Sequence, residues 1–112
     1  MVVDLINFTP SGGRFISAQG PASDKEIVDA VDYRAMDLVL TALKLSGTLT
    51  VRMETALTLD APEWQSLGVF TPLVAVKTTD RRTFHGVLRF VRWNVEALTG
   101  GDAAFSLAGR AM

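Results

Sequence analysis

The chain has 112 residues, 48% of them hydrophobic, and its 11 Lys and Arg against 12 Asp and Glu give a formal charge of −1. That length fits one domain with a core of its own, and the charge balance supplies no general attraction for nucleic acid or an anionic membrane. The absence of cysteine excludes a disulfide framework, a thiolate nucleophile and a cysteine zinc site. No apolar run approaches the roughly 18 residues of a membrane span, and no basic start followed by an apolar stretch marks a secretory leader. A soluble chain whose mature form begins near Met1 is expected.

Residues 1–24 mix short apolar pieces (Val2, Val3, Leu5, Ile6, Phe8, Phe15, Ile16) with breakers at Pro10, Gly12, Gly13, Gly20 and Pro21. This pattern predicts an extended N-terminal arm whose apolar side chains need a surface to lie on. Ser11-Gly12-Gly13 lacks the lysine and hydroxyl pair of a phosphate loop and reads as a turn. Residues 26–31 form a candidate short strand. From Met36 to Leu43, the residues Met36, Leu38, Leu40 and Ala42 fall on one face and Asp37, Val39, Thr41 and Leu43 on the other. A helical spacing through Tyr33, Met36, Leu40 and Leu43 competes. The strand is preferred because Leu45-Ser46-Gly47 runs directly into another strand, as in a hairpin. In that next strand Leu49, Val51 and Met53 alternate with Thr50, Arg52 and Glu54.

A loop with Asp60, Pro62 and Glu63 leads to Trp64, expected to plug an end of the core. Leu73 to Lys77 and Arg82 to His85 read as two further strands joined by a polar turn. The stretch from Arg82 to Val95 is read as the central strand: Val87, Val91, Trp93 and Val95 share a face with Arg89, while Leu88 and Phe90 share the other with Arg92 and Asn94. Ala103, Phe105 and Leu107 alternate with small residues in a last strand after a turn at Thr99-Gly100-Gly101-Asp102. The sum is an all-β chain, an antiparallel β-sandwich of about seven or eight strands over residues 25–112, preceded by the arm. Leu38, Leu40, Leu49, Val51, Met53, Val91, Trp93, Phe105 and Leu107 are expected to share one core.

Chemistry-bearing constellations are sparse. His85 is the single histidine, sits in a strand, and has no serine elbow beside it. The pairs Asp29 with Asp32 and Asp60 with Glu63 offer oxygens of the kind calcium takes, but read first as solvated loop charge. Arg81, Arg82, Arg89 and Arg92 are interleaved with Phe84, Phe90 and Trp93, a pattern that also suits nucleic acid. The acidic balance and the apolar phase of Trp93 favour arginines paired with carboxylates such as Glu54 or Glu96. No catalytic residue, cofactor, metal or nucleic-acid partner is expected.

With Trp64, Leu67, Gly68 and Phe70 followed by Leu88, Arg89, Phe90, Val91 and Arg92, residues 32–109 resemble a group of small structural proteins of tailed phages and prophages. In that group a Trp-x-x-Leu-Gly-x-Phe segment precedes a Leu-Arg-Tyr-x-Arg strand. The second motif also resembles the Arg-Tyr-x-Arg strand of discoidin-type, galactose-binding-like sandwiches, with Phe90 in the tyrosine's place. The resemblance implies a jelly-roll or discoidin-like sandwich that is not an enzyme. It would be a capsid decoration or head-tail accessory subunit of the virion, assembled in the host cytoplasm. Its partners would be other copies of itself and a capsid or tail protein, with no membrane involved. The interface residues expected on this reading are Val3, Leu5, Ile6, Phe8, Phe15, Leu88, Phe90 and Arg92. The alternative is a carbohydrate-binding module, for which Tyr33 and Trp64 are the candidate exposed aromatics.

Overall fold

The computed structural model describes residues 4–112, so Val3 and the two residues before it lie outside the described residues. Alternation of apolar residues decides the long strands. In β5 (Ala35–Leu45), Met36, Leu38, Leu40 and Ala42 are buried while Val39 and Leu43 face outward. The strand reading of this segment therefore prevails over the helical one. β6 (Leu49–Ala56), β9 (Phe90–Leu98) and β10 (Ala103–Ala111) bury Leu49, Val51, Met53, Val91, Trp93, Val95, Phe105 and Leu107 in the same way. The shorter strands are β1 (Asp4–Asn7), β2 (Arg14–Ile16), β3 (Gly20–Pro21), β4 (Val28–Asp29), β7 (Gln65–Val69) and β8 (Thr79–His85).

These strands form two antiparallel sheets. In the first, β1 and β2 both pair with β10, which pairs with β5, and β5 with β8. In the second, β3 and β4 both pair with β9, which pairs with β6, and β6 with β7. If β1 with β2, and β3 with β4, are each taken as one interrupted strand, eight strands remain in jelly-roll order, and every connection among them but β6–β7 crosses between the sheets. The nine residues expected to share a core do so. Trp93 meets Phe105 edge to face across the sheets at 5.2 Å, and Phe70 meets Phe84 at 5.1 Å, both geometries that aromatic quadrupoles favour.

Several local expectations change. The turn at Leu45-Ser46-Gly47 is a corner rather than a hairpin, because β5 already has β10 and β8 as neighbours and β6 belongs to the other sheet. Gly47 nests against the parallel corner at Thr99 and Gly100, where an added Cβ on Gly100 would lie 2.7 Å from the Gly47 nitrogen. The stretch from Arg82 to Val95 is two strands, β8 and β9, in different sheets. Gly86, at φ +82°, turns the chain between them, a conformation that costs glycine little. From Leu73 to Lys77 only Leu73 bridges Leu49, and Lys77 takes the left-handed conformation. The short strand expected over 26–31 is reduced to β4, with a 3-10 turn at Asp24–Glu26 before it.

The segment expected as an extended arm is, from Asp4 onward, woven into the sandwich. β1 and β2 edge the first sheet and β3 the second. Phe8 is 2% exposed inside the chain's own core, and the Thr9 hydroxyl accepts the Leu107 N–H. An apolar side chain so placed cannot be offered to a neighbour. Phe8→Ala should destabilise the chain by about 3 to 5 kcal/mol, the usual cost of emptying a large core site. Urea denaturation of a dilute monomer would check this, and an unchanged midpoint would contradict the packing.

Candidate functional site

The outward side of the first sheet carries mainly small and apolar residues. Along β10 the outward positions are Ala104, Ser106, Ala108 and Arg110; opposite them on β5 lie Lys44, Thr41, Val39 and Asp37. At the edge, Leu5 pairs with Arg110 and Phe15 with Ala104. Leu5 is 84% exposed, Phe15 60%, and Val39 and Leu43 are also exposed. Ala108, Val39 and Leu5 line an open groove of about 440 Å³. Three cations border this face. The Lys44 ammonium lies 4.8 Å from the centre of the Phe15 ring, and Arg81 and Arg110 converge on Asp37 at the opposite end.

Asp37 is nearly buried and accepts hydrogen bonds from Arg81 Nε at 3.0 Å, from Arg81 Nη2, and from Arg110 Nη2 at 3.4 Å. The bonds from Arg81, with Arg110 beside them, hold its carboxyl below the usual carboxylate range and raise the Arg81 guanidinium. One carboxylate thus serves two guanidinium groups, and the corner keeps a positive excess.

The outward side of the second sheet is organised around Glu54. Its carboxylate accepts Arg52 Nη2 at 2.9 Å, Arg92 Nε at 2.8 Å and Asn94 Nδ2 at 3.2 Å, and is nearly buried beneath these donors. The cross-strand register, Glu54 opposite Arg92 and Arg52 opposite Asn94, brings them together. The Arg92 guanidinium also stacks 4.1 Å over the Trp64 ring, so Trp64 clamps the base of the β6–β7 loop rather than plugging the core. At the next corner Arg89 pairs bidentately with Asp29, at 3.2 and 3.3 Å, which lowers the Asp29 carboxyl. The expected arginine–carboxylate pairing is therefore present on this strand.

The interface candidates divide between places. Leu5 and Phe15 stand out from the first sheet. Ile6 packs half-buried against the core and Phe8 lies within it. Leu88 belongs to the β8–β9 connection, and Phe90 and Arg92 to the outward side of the second sheet. The residues missed were Val39 and Leu43 beside Leu5 and Phe15, and Leu57 and Leu59 in the β6–β7 loop, all exposed. A signal for the first pair existed, since β5 is apolar in both phases of its alternation. The two aromatics offered to a carbohydrate reading are both engaged within the chain, Trp64 by Arg92 and the Tyr33 hydroxyl as donor to Asp4.

No family model and no curated protein matches the chain. Among solved structures it is similar to the SPBc2 prophage-derived protein YomS, with 14% identity, a TM-score of 0.55, and coverage of 98% of this chain and 96% of that one. At that identity the likeness is one of fold.

Because Asp37 titrates below its unfolded value of about 3.9, its contribution to stability is complete above that pH and is lost as the pH falls through the lowered native value. Asp37→Asn should lower stability at neutral pH and flatten the acid limb of a stability–pH curve obtained from urea midpoints. Glu54→Ala leaves two guanidinium groups without their shared acceptor and should cost about 1 to 3 kcal/mol, read from the same denaturation at pH 7.

Proposed function

We propose that the chain is a non-enzymatic structural subunit of a phage or phage-like particle, a capsid decoration or head-tail accessory protein that works through protein–protein contacts. The observation that carries this reading is the outward side of the first sheet, where Leu5, Val39, Leu43 and Phe15 stand exposed around the small residues of β10. A sheet face normally alternates apolar-in with polar-out, and an exposed apolar patch marks a surface meant for another protein. The sandwich measures 37 × 31 × 22 Å, so its broad side has room for the roughly 800 Å² per partner that a specific contact buries. The charged side chains at Glu54, Asp37 and Asp29 are spent on their arginine partners. The jelly-roll likeness to a prophage-derived protein supports the same setting.

In this reading the chain resides in the virion and contacts copies of itself and a capsid or tail protein. Particles purified on a density gradient and probed with an antibody to the chain provide the test. The chain should band with the particles in a fixed ratio to the major shell or tail protein, and a Leu5→Ser, Phe15→Ser variant should be lost from them. A chain found only in the soluble fraction would overturn the proposal.

A further inference from the structure

The chain carries a second exposed apolar feature, far from the first in fold and opposite to it in charge. The loop from β6 to β7 presents Leu57, 68% exposed, and Leu59, followed by Asp60 and Glu63. No lysine or arginine occurs between Arg52 and Lys77. Neither Asp60 nor Glu63 has an ion-pair partner among the described residues, whereas Glu54, Asp37 and Asp29 all do. The stacking of Arg92 on Trp64 fixes the C-terminal base of the loop, which lowers the ordering cost of docking it.

We infer that this acidic, leucine-bearing loop is the ligand of the cation-bordered apolar face on a second copy of the chain. The two features complement each other: Leu57 and Leu59 meet Val39, Leu43 and the small row of β10, while Asp60 and Glu63 face Lys44 and Arg110. Two like faces, by contrast, would bring cations against cations. The loop belongs to the second sheet and the face to the outward side of the first, so they cannot meet within one molecule. The contact is therefore heterologous, head to tail. Repeated, it closes into a ring or runs on as a filament, the two arrangements from which shells and tails are built. This inference deepens the particle-subunit reading and rests on it for its biological setting.

The test uses two variants of the full chain, altered only at exposed positions: a loop variant, Leu57→Ser with Leu59→Ser, and a face variant, Val39→Ser with Leu43→Ser. By sedimentation at roughly 100 μM chain and low salt, the unaltered protein should form species larger than a dimer that shrink as salt is added. Each variant alone should be monomeric. Mixed in equal amounts they should give a species of twice the chain mass and no larger, since each supplies the one patch the other lacks. An unaltered chain that stays monomeric, variants that assemble as before, or a mixture that stays monomeric would each overturn the inference. A chain that assembles this way but is absent from purified particles would instead sink the particle-subunit reading and leave the contact standing.

Discussion

The fold depends on satisfying one buried N–H. Trp93 is held between the sheets against Phe105, nearly excluded from solvent, and an indole donor in that position is costly unless it finds an acceptor. Glu26 supplies one: its carboxylate accepts Trp93 Nε1 at 3.1 Å, and Arg14 pairs with the same carboxylate. A near-buried carboxylate needs its counter-charge as much as the indole needs its acceptor. The three residues come from β9, the 3-10 turn and β2, so the requirement draws the first quarter of the chain onto the body. Once β2 is placed, Phe8 reaches the core and β1 reaches the free edge of β10. The integration of the N-terminal segment thus joins this polar requirement to the burial of Phe8 and the pairing of β1 and β2 with β10.

A similar economy governs the outer surfaces. Glu54 and Asp37 each occupy an outward position on a strand, yet both are nearly buried because neighbouring guanidinium groups lie over them. Pairs of this kind on exposed arginines add modest stability, but they fix the side chains that form them. Arg92 in particular has its Nε committed to Glu54 and its face to Trp64. Lys44 beside the apolar face and Asp60 and Glu63 on the β6–β7 loop are among the charges with no ion-pair partner among the described residues, as are Asp24, Lys25, Asp32, Arg34, Lys77 and Asp102.

The strands were legible where one face is core and the other solvent, because alternation then has a single phase. β6 and β10 are of this kind, and the core residues drawn from them and from β5 and β9 were read correctly. The partner of each strand was not legible. A hairpin and a corner use the same glycine-rich turn, and whether Gly47 folds β6 beside β5 or across to the other sheet is decided by β10 competing for the edge of β5. The division at Gly86 was hidden for a related reason: Phe84 and Val87 bury into one core from either side of the bend, so apolar residues continue through a break in the strand. The apolar face of the first sheet was half visible, since Val39 and Leu43 were placed on a shared second face but not joined to Leu5 and Phe15, which lie near them only after β10 pairs with β1, β2 and β5.

How the sheet edges end bears on which surface meets a partner. An open edge strand is itself a docking site, and proteins that do not use it blunt it. Here β8, the edge of the first sheet, carries Asp80, Arg81 and Arg82 in succession, and β7, the edge of the second, is irregular at Gly68, where φ is +149°. On the other side, β1 and β2 are separated by the turn at Pro10–Gly13, and β3 contains Pro21, which has no N–H to offer. All four edges are short, charged or interrupted, so strand addition is disfavoured throughout the molecule. The outward face of the first sheet has no such protection: apart from a bulge at Ala104 and Phe105 its ladder is continuous, and it is nearly free of charge at its centre. With its edges guarded and one face bare, the molecule presents side chains rather than unpaired backbone groups at its surface, and a partner for such a face would be selected by shape and charge.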